Sequence, residues 1–378
     1  MSERKLQENV LFDADAYFDA LRKCAEQARF QIDMEVYIYE SKQLGKNVAD
    51  ALQEAAKRGV TVRLLVDGVG ADRHFNAIAE RLEAHNVEVR IHHPLPWHTK
   101  LWRYSVIQTN LANKLLHLLL SINRRNHRKT ILIDHRHLFL GSINVSNNHL
   151  TSTRGGANWR DTAIHVSNAE FRPMEHAFEA SWNHAKRNTR RLIAEQAIDS
   201  PFLLNYTRKL RKHHDAELLK RIRCASEHIL ITNAYFVPEK SLLKALQNSA
   251  KRGLRVCIIL PARSDVFFMP WVSAYFYRAL LSVGVQIFEY TPSMLHAKTM
   301  IIDDWYTIGS SNLNHRSFRH DLEVDYVLQT EQAKRSLRGA FERDLEHTEE
   351  QKLHDLVVKK GWRLWIGGLI LTLLGPWL

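Results

Sequence analysis

Apolar runs and amphipathic stretches alternate along the chain, and the same order occurs twice. In the first half, the apolar segments are FQIDMEVYIY (30–39) and VEVRIHH (87–93), around ALQEAAKRGVTVRLLVDGVGAD (51–72). In the second half, they are HILITNAYFV (228–237) and VQIFEY (285–290), around ALQNSAKRGLRVCIILPARSD (245–265). Runs of Val, Leu and Ile are typical of strands that are covered on both faces. The pattern therefore predicts strand, helix, strand, helix, strand, twice over.

The repeated helices end at Lys-Arg-Gly, and Gly59 and Gly253 stand where a helix end favours a residue with positive φ. The alternation of strands and helices predicts an α/β fold, with a mixed, mostly parallel sheet flanked by helices in each half. Because there are only two copies, we expect two homologous lobes and not a solenoid. The predicted segments are an N-terminal lobe (1–190), a basic linker (191–222), a C-terminal lobe (223–350) and a tail (351–378).

Each half also carries one polar motif of the form HxKxxxxD followed by GSxN. The two copies are His127 to Asp134 with Gly141 to Asn144, and His296 to Asp303 with Gly309 to Asn312. Residues two apart on a strand point to the same face, so the His and Lys of each copy should project together. A single copy would most simply be a core histidine or a surface charge pair. Two complete copies in a duplicated chain indicate a shared site.

The residue types of the motif suit the chemistry of a phosphodiester. Two such sets facing each other would surround a phosphate with two ammonium groups and the amides of Asn144 and Asn312, where the transition state becomes more anionic. One histidine can attack phosphorus while the other protonates the leaving alcohol and deprotonates the incoming one. Each ring then needs an acceptor for its other nitrogen, and Asp161 and Glu323 are the candidates. We expect neither a metal nor another cofactor.

Composition adds an anionic partner to this picture. The chain has 53 Lys and Arg against 41 Asp and Glu, a net charge of +12, which favours nucleic acid, an anionic membrane surface or a phosphorylated substrate. The alternative is a soluble protein that is merely basic. The three cysteines are widely spaced, which predicts free thiols in a reducing compartment. The N-terminus lacks the apolar core of a secretory signal, so export by that route is not expected.

The end of the chain has a different character. No residue from Leu364 to Leu378 is charged, and this run is shorter than the ~20 residues that span a bilayer as a helix. Basic residues precede it and tryptophans flank it: Lys359, Lys360, Arg363, Trp362, Trp365 and Trp377. We expect a segment that enters one leaflet of a membrane, or alternatively a helix docked on the protein's own core. Two other apolar, aromatic stretches, at about 95–122 and 266–277, are either core or further membrane contacts.

At the HxKxxxxD motifs the chain resembles the phospholipase D superfamily, over about residues 10 to 345. The resemblance implies that two lobes pack face to face as a pseudo-dimer and that both motifs line one cleft. His127 would be the nucleophile and His296 the general acid and base. Phosphate would be bound by Lys129, Lys298, Asn144 and Asn312, with Ser142 and Ser310 beside them, and the histidines would be oriented by Asp161 and Glu323. Asp134 and Asp303 complete the catalytic motifs, with a role expected to be more structural than catalytic.

Within that superfamily the chain is most similar to short bacterial cardiolipin synthases, at residues 234–238, 284–290 and 309–314. This implies transfer of a phosphatidyl group to phosphatidylglycerol through a phosphohistidine. It also implies an enzyme peripheral or monotopic on the cytoplasmic side of a bacterial inner membrane. The alternatives are a hydrolase of the same superfamily, either a phospholipase D or a nuclease, and a non-catalytic lipid-binding scaffold. Nucleic acid is not expected as the partner, since a nuclease has no use for the uncharged C-terminal run, and the oligomeric state is left open.

Overall fold

The structure is a computed structural model that describes residues 5–106, 124–183, 197–358 and 361–374. Several sequence predictions fall outside the described residues. They concern the apolar run 115–120, the basic residues 186–191, Lys359, Lys360, the side chain of Arg363, and Trp377.

The N-terminal lobe is built on a seven-stranded sheet with the order β1-β7-β6-β5-β2-β3-β4. Its strands are β1 (Gln7–Leu11), β2 (Gln31–Val36), β3 (Thr61–Asp67), β4 (Val87–His92), β5 (Thr130–Ile133), β6 (His137–Gly141) and β7 (Ala163–Ser167). Its described α-helices are α1 (Ala14–Gln27), α2 (Gln43–Lys57), α3 (Phe75–Glu83) and α4 (Arg172–Trp182). The α2 helix buries Leu44, Val48 and Leu52 at helical spacing and ends before Gly59, whose φ is 89°.

The C-terminal lobe is built on an eight-stranded sheet with the order β15-β11-β10-β9-β12-β13-β14-β8. Its strands are β8 (Phe202–Leu204), β9 (His228–Thr232), β10 (Arg255–Pro261), β11 (Gln286–Tyr290), β12 (Thr299–Ile302), β13 (Trp305–Gly309), β14 (Val324–Val327) and β15 (Thr348–Gln351). Its helices are α5 (Arg208–Cys224), α6 (Lys240–Lys251), α7 (Met269–Leu281), α8 (His315–Arg319) and α9 (Glu331–Glu346), and the tail adds α10 (Leu353–Val358) and α11 (Gly361–Leu374).

The predicted duplication is confirmed by the order of six strands in each sheet. The order β7-β6-β5-β2-β3-β4 corresponds to β14-β13-β12-β9-β10-β11. The prediction of mostly parallel sheets is wrong, because only β2–β3–β4 and β9–β10–β11 pair in parallel. The motif strands β5 and β12 instead turn back tightly into β6 and β13. Neighbouring strands joined by a tight turn pair antiparallel, whereas a parallel pair needs a long crossover.

The predicted linker over 191–222 is wrong in its second half. The short strand β8 pairs antiparallel with β14 and forms an edge of the C-terminal sheet. The α5 helix buries Leu210, Leu218 and Ile222 and packs against α6. Arg211 of this helix donates to the main-chain oxygens of Phe318, His320 and Asp321 in the C-terminal lobe. The basic residues on its solvent side are Arg208, Lys209, Lys212, Lys220 and Arg223.

The two lobes share one apolar core between their sheets. This cluster joins Leu138 and Ile164 of the first sheet to Leu230, Ile259 and Ile301 of the second. Separate clusters fill the outer side of each sheet, under the helices. The shared core makes the lobes a pseudo-dimer, as the family resemblance implied, and it brings the ends of β5 and β12 to one place.

The tail forms α11, which packs against α7 on one side and is exposed on the other. A side chain at Gly367 would place its Cβ 2.1 Å from the carbonyl oxygen of Trp271, so the close approach requires glycine. The rings of Trp271 and Trp362 lie 5.7 Å apart. The alternative prediction for the tail was a helix docked on the protein's own core, and the side of α11 that faces α7 agrees with it. None of the helices among the described residues has the length and apolar character to cross a bilayer.

Candidate active site

Main-chain hydrogen bonds hold each HxK motif against a segment of the opposite lobe. The N–H of His127 donates to the carbonyl oxygen of Leu322 at 2.9 Å. In the reciprocal place, the N–H of Arg160 donates to Met294 and the N–H of His296 donates to Arg160, both at 2.8 Å. The segments that carry Glu323 and Asp161 are therefore fixed beside the histidine of the other lobe.

The two histidines are paired with carboxylates in a crossed arrangement. Nδ1 of His127 lies 2.9 and 3.0 Å from the carboxylate oxygens of Glu323, and Nδ1 of His296 lies 2.8 Å from Oδ1 of Asp161. All four residues are buried. A neutral imidazole that donates from Nδ1 keeps its lone pair on Nε2, so Nε2 is the nitrogen of each ring that can attack phosphorus or take a proton.

Ser142 and Ser310 fix the carboxylates. The hydroxyl of Ser142 donates to Asp161 at 2.8 Å, and the hydroxyl of Ser310 donates to Glu323 at 2.5 Å. Both serines are fully buried. Each hydroxyl proton thus has an acceptor inside the protein, and the contact of these serines with phosphate stays a prediction.

The two motif lysines are buried beside the histidines. The ammonium groups of Lys129 and Lys298 donate to the carbonyl oxygens of His127 and His296, in both cases at 2.5 Å. Burial lowers the pKa of Lys298 to about 8 and holds the pKa of Lys129 well below its ordinary value.

Tyr37 and Tyr235 lie beside the two motif lysines, and the sequence patterns did not point to them. Lys129 Nζ lies 5.1 Å from the ring centre of Tyr37, and Lys298 Nζ lies 5.9 Å from that of Tyr235. The ring of Tyr37 also meets His127 edge-on at 4.8 Å. Tyr37 stands one residue beyond β2 and Tyr235 three residues beyond β9, so the repeat alone does not align them.

The two motif asparagines are buried just beyond the strands β6 and β13. Oδ1 of Asn144 accepts the main-chain N–H of Ile38 at 3.1 Å, so the NH₂ end of this amide is left to donate. Asn312 occupies the matching place after β13. Both stay candidates for binding phosphate.

Asp134 and Asp303 bind main-chain N–H groups, and the role expected of them, more structural than catalytic, stays a prediction. The carboxylate of Asp134 accepts the main-chain N–H groups of Arg29, Phe30 and Gln31 at 2.7 to 2.9 Å. Asp303 accepts those of residues 226 to 228 at 2.8 to 3.0 Å. Each aspartate thus fixes the start of a central strand, β2 or β9, at the end of β5 or β12 remote from the histidine.

Electrostatics differ between the two half-sites. Burial and the nearby lysines lower the pKa of both His127 and His296, which favours neutral rings in the empty cleft. Burial raises the pKa of Glu323 to about 7, against the opposing effect of Lys129. Burial acts in the same direction on Asp161, but His149 and His296 outweigh it and hold the pKa of that carboxyl well below its ordinary value. The ionised form of Asp161 is therefore favoured, whereas the pKa of Glu323 lies near neutrality.

His149 is a second imidazole in the site that the sequence reasoning missed. It is buried, and its Nδ1 lies 2.6 Å from Oδ2 of Asp161. His149, Asp161 and His296 bring three atoms of the ligand type for metals within 4.8 Å, as do the half-buried Cys24, His137 and His165 elsewhere in the first lobe. In the first group, hydrogen bonds from ring N–H groups to the carboxylate account for the close approach.

The duplicated lobes and the crossed histidine–carboxylate pairs define a phospholipase D-like protein. A family model described as "Cardiolipin synthase, PLD-like domain" matches residues 21–182 and 218–345. The chain belongs to this family of cardiolipin synthase-type, phospholipase D-like proteins. The match confirms the resemblance that the two motifs indicated.

The curated relatives are cardiolipin synthases and are longer than this chain. The sequence is 29% identical over 351 residues to the cardiolipin synthase of Clostridium perfringens strain SM101, which covers 89% of this chain and 70% of the relative. It is 30% identical over 354 residues to that of Halalkalibacterium halodurans, which covers 90% of this chain and 66% of the relative.

Solved structures support the same fold. The chain is similar to the phosphatidylserine synthase of Haemophilus influenzae Rd KW20, with a TM-score of 0.68, 13% identity, and coverage of 96% of this chain and 94% of that one. A polyphosphate kinase from Porphyromonas gingivalis matches with a TM-score of 0.63 and 14% identity, over 92% of this chain and 49% of that one. At these identities the likeness concerns the fold alone.

Proposed function

We propose that the protein is a cardiolipin synthase that transfers a phosphatidyl group to phosphatidylglycerol through a phosphohistidine on His127. The observation that carries the proposal is the crossed pairing, in which His127 bonds to Glu323 and His296 bonds to Asp161. One histidine from each lobe thereby faces a common cleft with two lysines. The membership in a family of cardiolipin synthases supplies the lipid substrate.

In the first half-reaction, Nε2 of His127 attacks phosphorus of the donor phosphatidylglycerol. The bond from phosphorus to the headgroup oxygen breaks, and protonated His296 gives its proton to that oxygen, so glycerol leaves. The anionic substrate favours the protonated form of His296 because opposite charges lie close together, and ionised Asp161 stabilises the imidazolium. Lys129, Lys298 and the two asparagines stabilise the charge on the other phosphate oxygens.

In the second half-reaction, neutral His296 takes the proton from the terminal hydroxyl of a second phosphatidylglycerol. The resulting oxygen attacks phosphorus, and the bond between phosphorus and Nε2 of His127 breaks. The product is cardiolipin, and His296 is protonated again for the next donor. Water in place of the second lipid would give phosphatidic acid, the product of the hydrolase alternative.

An exposed apolar surface supports binding to a bilayer. We name it the apolar ridge, and it consists of Phe267, Tyr275, Trp362, Trp365, Leu369 and Leu373. Its four α11 residues are spaced three or four apart and so share one helix side. Rings of Phe267, Trp271 and Trp362 follow one another at 5.9 and 5.7 Å, which makes the ridge continuous between the two helices. Such an apolar side on a protein of charge +12 suits the surface of an anionic membrane, and we place the protein on its cytoplasmic side.

Incubation of the protein with phosphatidylglycerol vesicles tests the proposal. We expect cardiolipin and glycerol in equal amounts, and loss of at least about 1,000-fold in rate for His127→Ala, as for removal of a catalytic nucleophile. The matched control is His135→Ala, because His135 is an exposed histidine in the turn after β5, the strand that follows His127. Phosphatidic acid as the main product would indicate a hydrolase, and cleaved DNA with unchanged lipid would indicate a nuclease. Normal cardiolipin formation by His127→Ala would refute the nucleophile.

A further inference from the structure

The two half-sites are equivalent in sequence position but differ in one buried side chain. His149 stands five residues after Asn144 of the first motif, and Ser317 stands five residues after Asn312 of the second. Both are buried and both contact the main-chain N–H of that asparagine, at 3.4 Å through Nε2 of His149 and at 3.2 Å through the hydroxyl of Ser317.

Each of these side chains also contacts the carboxylate of its own lobe. Nδ1 of His149 lies 2.6 Å from Oδ2 of Asp161, and the hydroxyl of Ser317 lies 2.7 Å from Oε1 of Glu323. The side-chain lengths are complementary. In the first lobe the long side chain of His149 meets the short acid Asp161, and in the second the short side chain of Ser317 meets the long acid Glu323. The same space is filled by His with Asp on one side and by Ser with Glu on the other.

The contacts of His149 determine which of its ring nitrogens carries the proton. Nε2 faces a main-chain N–H and must accept, so the proton is on Nδ1 and is donated to Asp161. Asp161 consequently receives three donors, from His149 on Oδ2 and from Ser142 and His296 on Oδ1. Its negative charge is shared between two imidazoles, whereas Glu323 bonds to one imidazole and two hydroxyls.

We propose that His149 is a positioning residue that acts through Asp161: it holds the carboxylate against His296 and limits how strongly that carboxylate retains the proton of His296. The inference rests on the proposed function in taking His296 as the proton-transfer group. An unshared carboxylate would bind the imidazolium too tightly for it to release a proton to the leaving oxygen. The hydrogen bond from His149 takes up part of this charge and keeps His296 an effective acid.

The direction of the effect follows from the groups that face His296. They are Asp161 and His149 from the first lobe, with Lys298 and the ring of Tyr235 from its own lobe. Burial, then Lys298 and to a smaller extent His149, lower the pKa of His296, and Asp161 raises it. Loss of the donor from His149 strengthens the effect of Asp161, which raises this pKa, so His296 holds its proton to higher pH.

Hydrolysis of a short-chain, water-soluble phosphatidylglycerol, a soluble diester whose alcohol leaving group needs a proton, tests the inference without a lipid acceptor. For His149→Ala we expect kcat to fall on the order of 10- to 100-fold, KM to change less than about threefold, and the alkaline midpoint of kcat to move up by about one pH unit. His149→Asn should keep the midpoint and most of kcat, because its amide N–H can donate from the place of Nδ1. Ser317→Ala is the matched control and should leave this midpoint unchanged, since Ser317 contacts Glu323.

Histidine ring spectra extend the test to a protein that turns over no diester. In ¹H–¹⁵N spectra of histidine-labelled protein, His149 should carry its proton on Nδ1, and the titration of His296 should move up in His149→Ala but not in His149→Asn. A proton on Nε2 of His149, or equal losses of kcat in both variants with an unmoved midpoint and titration, would reduce His149 to a packing residue and overturn the inference. Lack of cardiolipin formation alongside these shifts would refute only the proposed lipid reaction.

Discussion

Each motif imidazole is paired with a carboxylate that is distant in the sequence. His127 and Glu323 are 196 residues apart, and His296 and Asp161 are 135 apart, yet both pairs are buried and hydrogen-bonded. A buried ring needs a partner for Nδ1, and the partner decides which nitrogen faces the substrate. The residue types could be predicted from the repeated motif. The crossed pairing, the bonding of Ser142 to Asp161 and the presence of His149 could not.

The pKa of Lys298 leads to a prediction about alkaline pH. Burial lowers this pKa to about 8, so the free enzyme loses the positive charge of Lys298 as the pH rises through that value. We expect kcat/KM for a soluble diester to fall above about pH 8. In Lys298→Arg the guanidinium stays charged, so the variant should be slower at neutral pH but should lack this fall. An identical alkaline profile in both proteins would show that another group is responsible.

Among the elements, the strands β5 and β12 make different contacts at their two ends. The histidine end faces the other lobe, and the aspartate end receives the N–H groups that open β2 and β9. Strand and helix positions were predictable because apolar runs record burial on both faces. The pairing directions were not predictable, because an apolar strand can pair with a parallel or with an antiparallel neighbour.

Asp303→Ala should reduce stability without removing chemistry. Three main-chain N–H groups lose their acceptor, which should lower the free energy of unfolding by roughly 1–3 kcal/mol. The folded pKa of Asp303 is below its ordinary value, so its contribution is present above that value and is lost in acid as the pH falls through the folded pKa. Denaturant unfolding measures the loss, and the exposed neighbour Asp304→Ala is the control. A large fall in kcat of the folded variant would instead assign Asp303 to the chemistry.

At the scale of the whole molecule, the shared core fixes the lobes and the apolar ridge lies on the C-terminal lobe. Only one side of α11 meets the protein, through the contact of Gly367 with Trp271. The tail is thus neither wholly core nor a free membrane segment, although the sequence allowed both. Its inner and outer sides could be told apart only once α7 was in place.

Polar substitution of the ridge should separate membrane binding from catalysis. In the triple variant Trp365→Ser, Leu369→Ser and Leu373→Ser, three exposed apolar side chains are lost, so binding to phosphatidylglycerol vesicles in sedimentation should fall at least about tenfold. Turnover of the soluble diester should be unchanged. Phe30→Ser is the control, because Phe30 is 65% exposed and lies outside the ridge. Unchanged sedimentation of the triple variant would contradict a role of the ridge in membrane binding.

The sequence by itself determined the duplication, the α/β class, the paired His and Lys, and the two carboxylates, because periodicity and repeated spacing are local properties of a chain. Tertiary structure alone decided that the pairs cross between lobes, that Ser142 and Ser310 bind carboxylates, that residues 202–204 join the C-terminal sheet, and that His149 meets Asp161. These contacts join side chains by distance and direction after the two sheets pack on a shared core. No spacing along the chain records that packing.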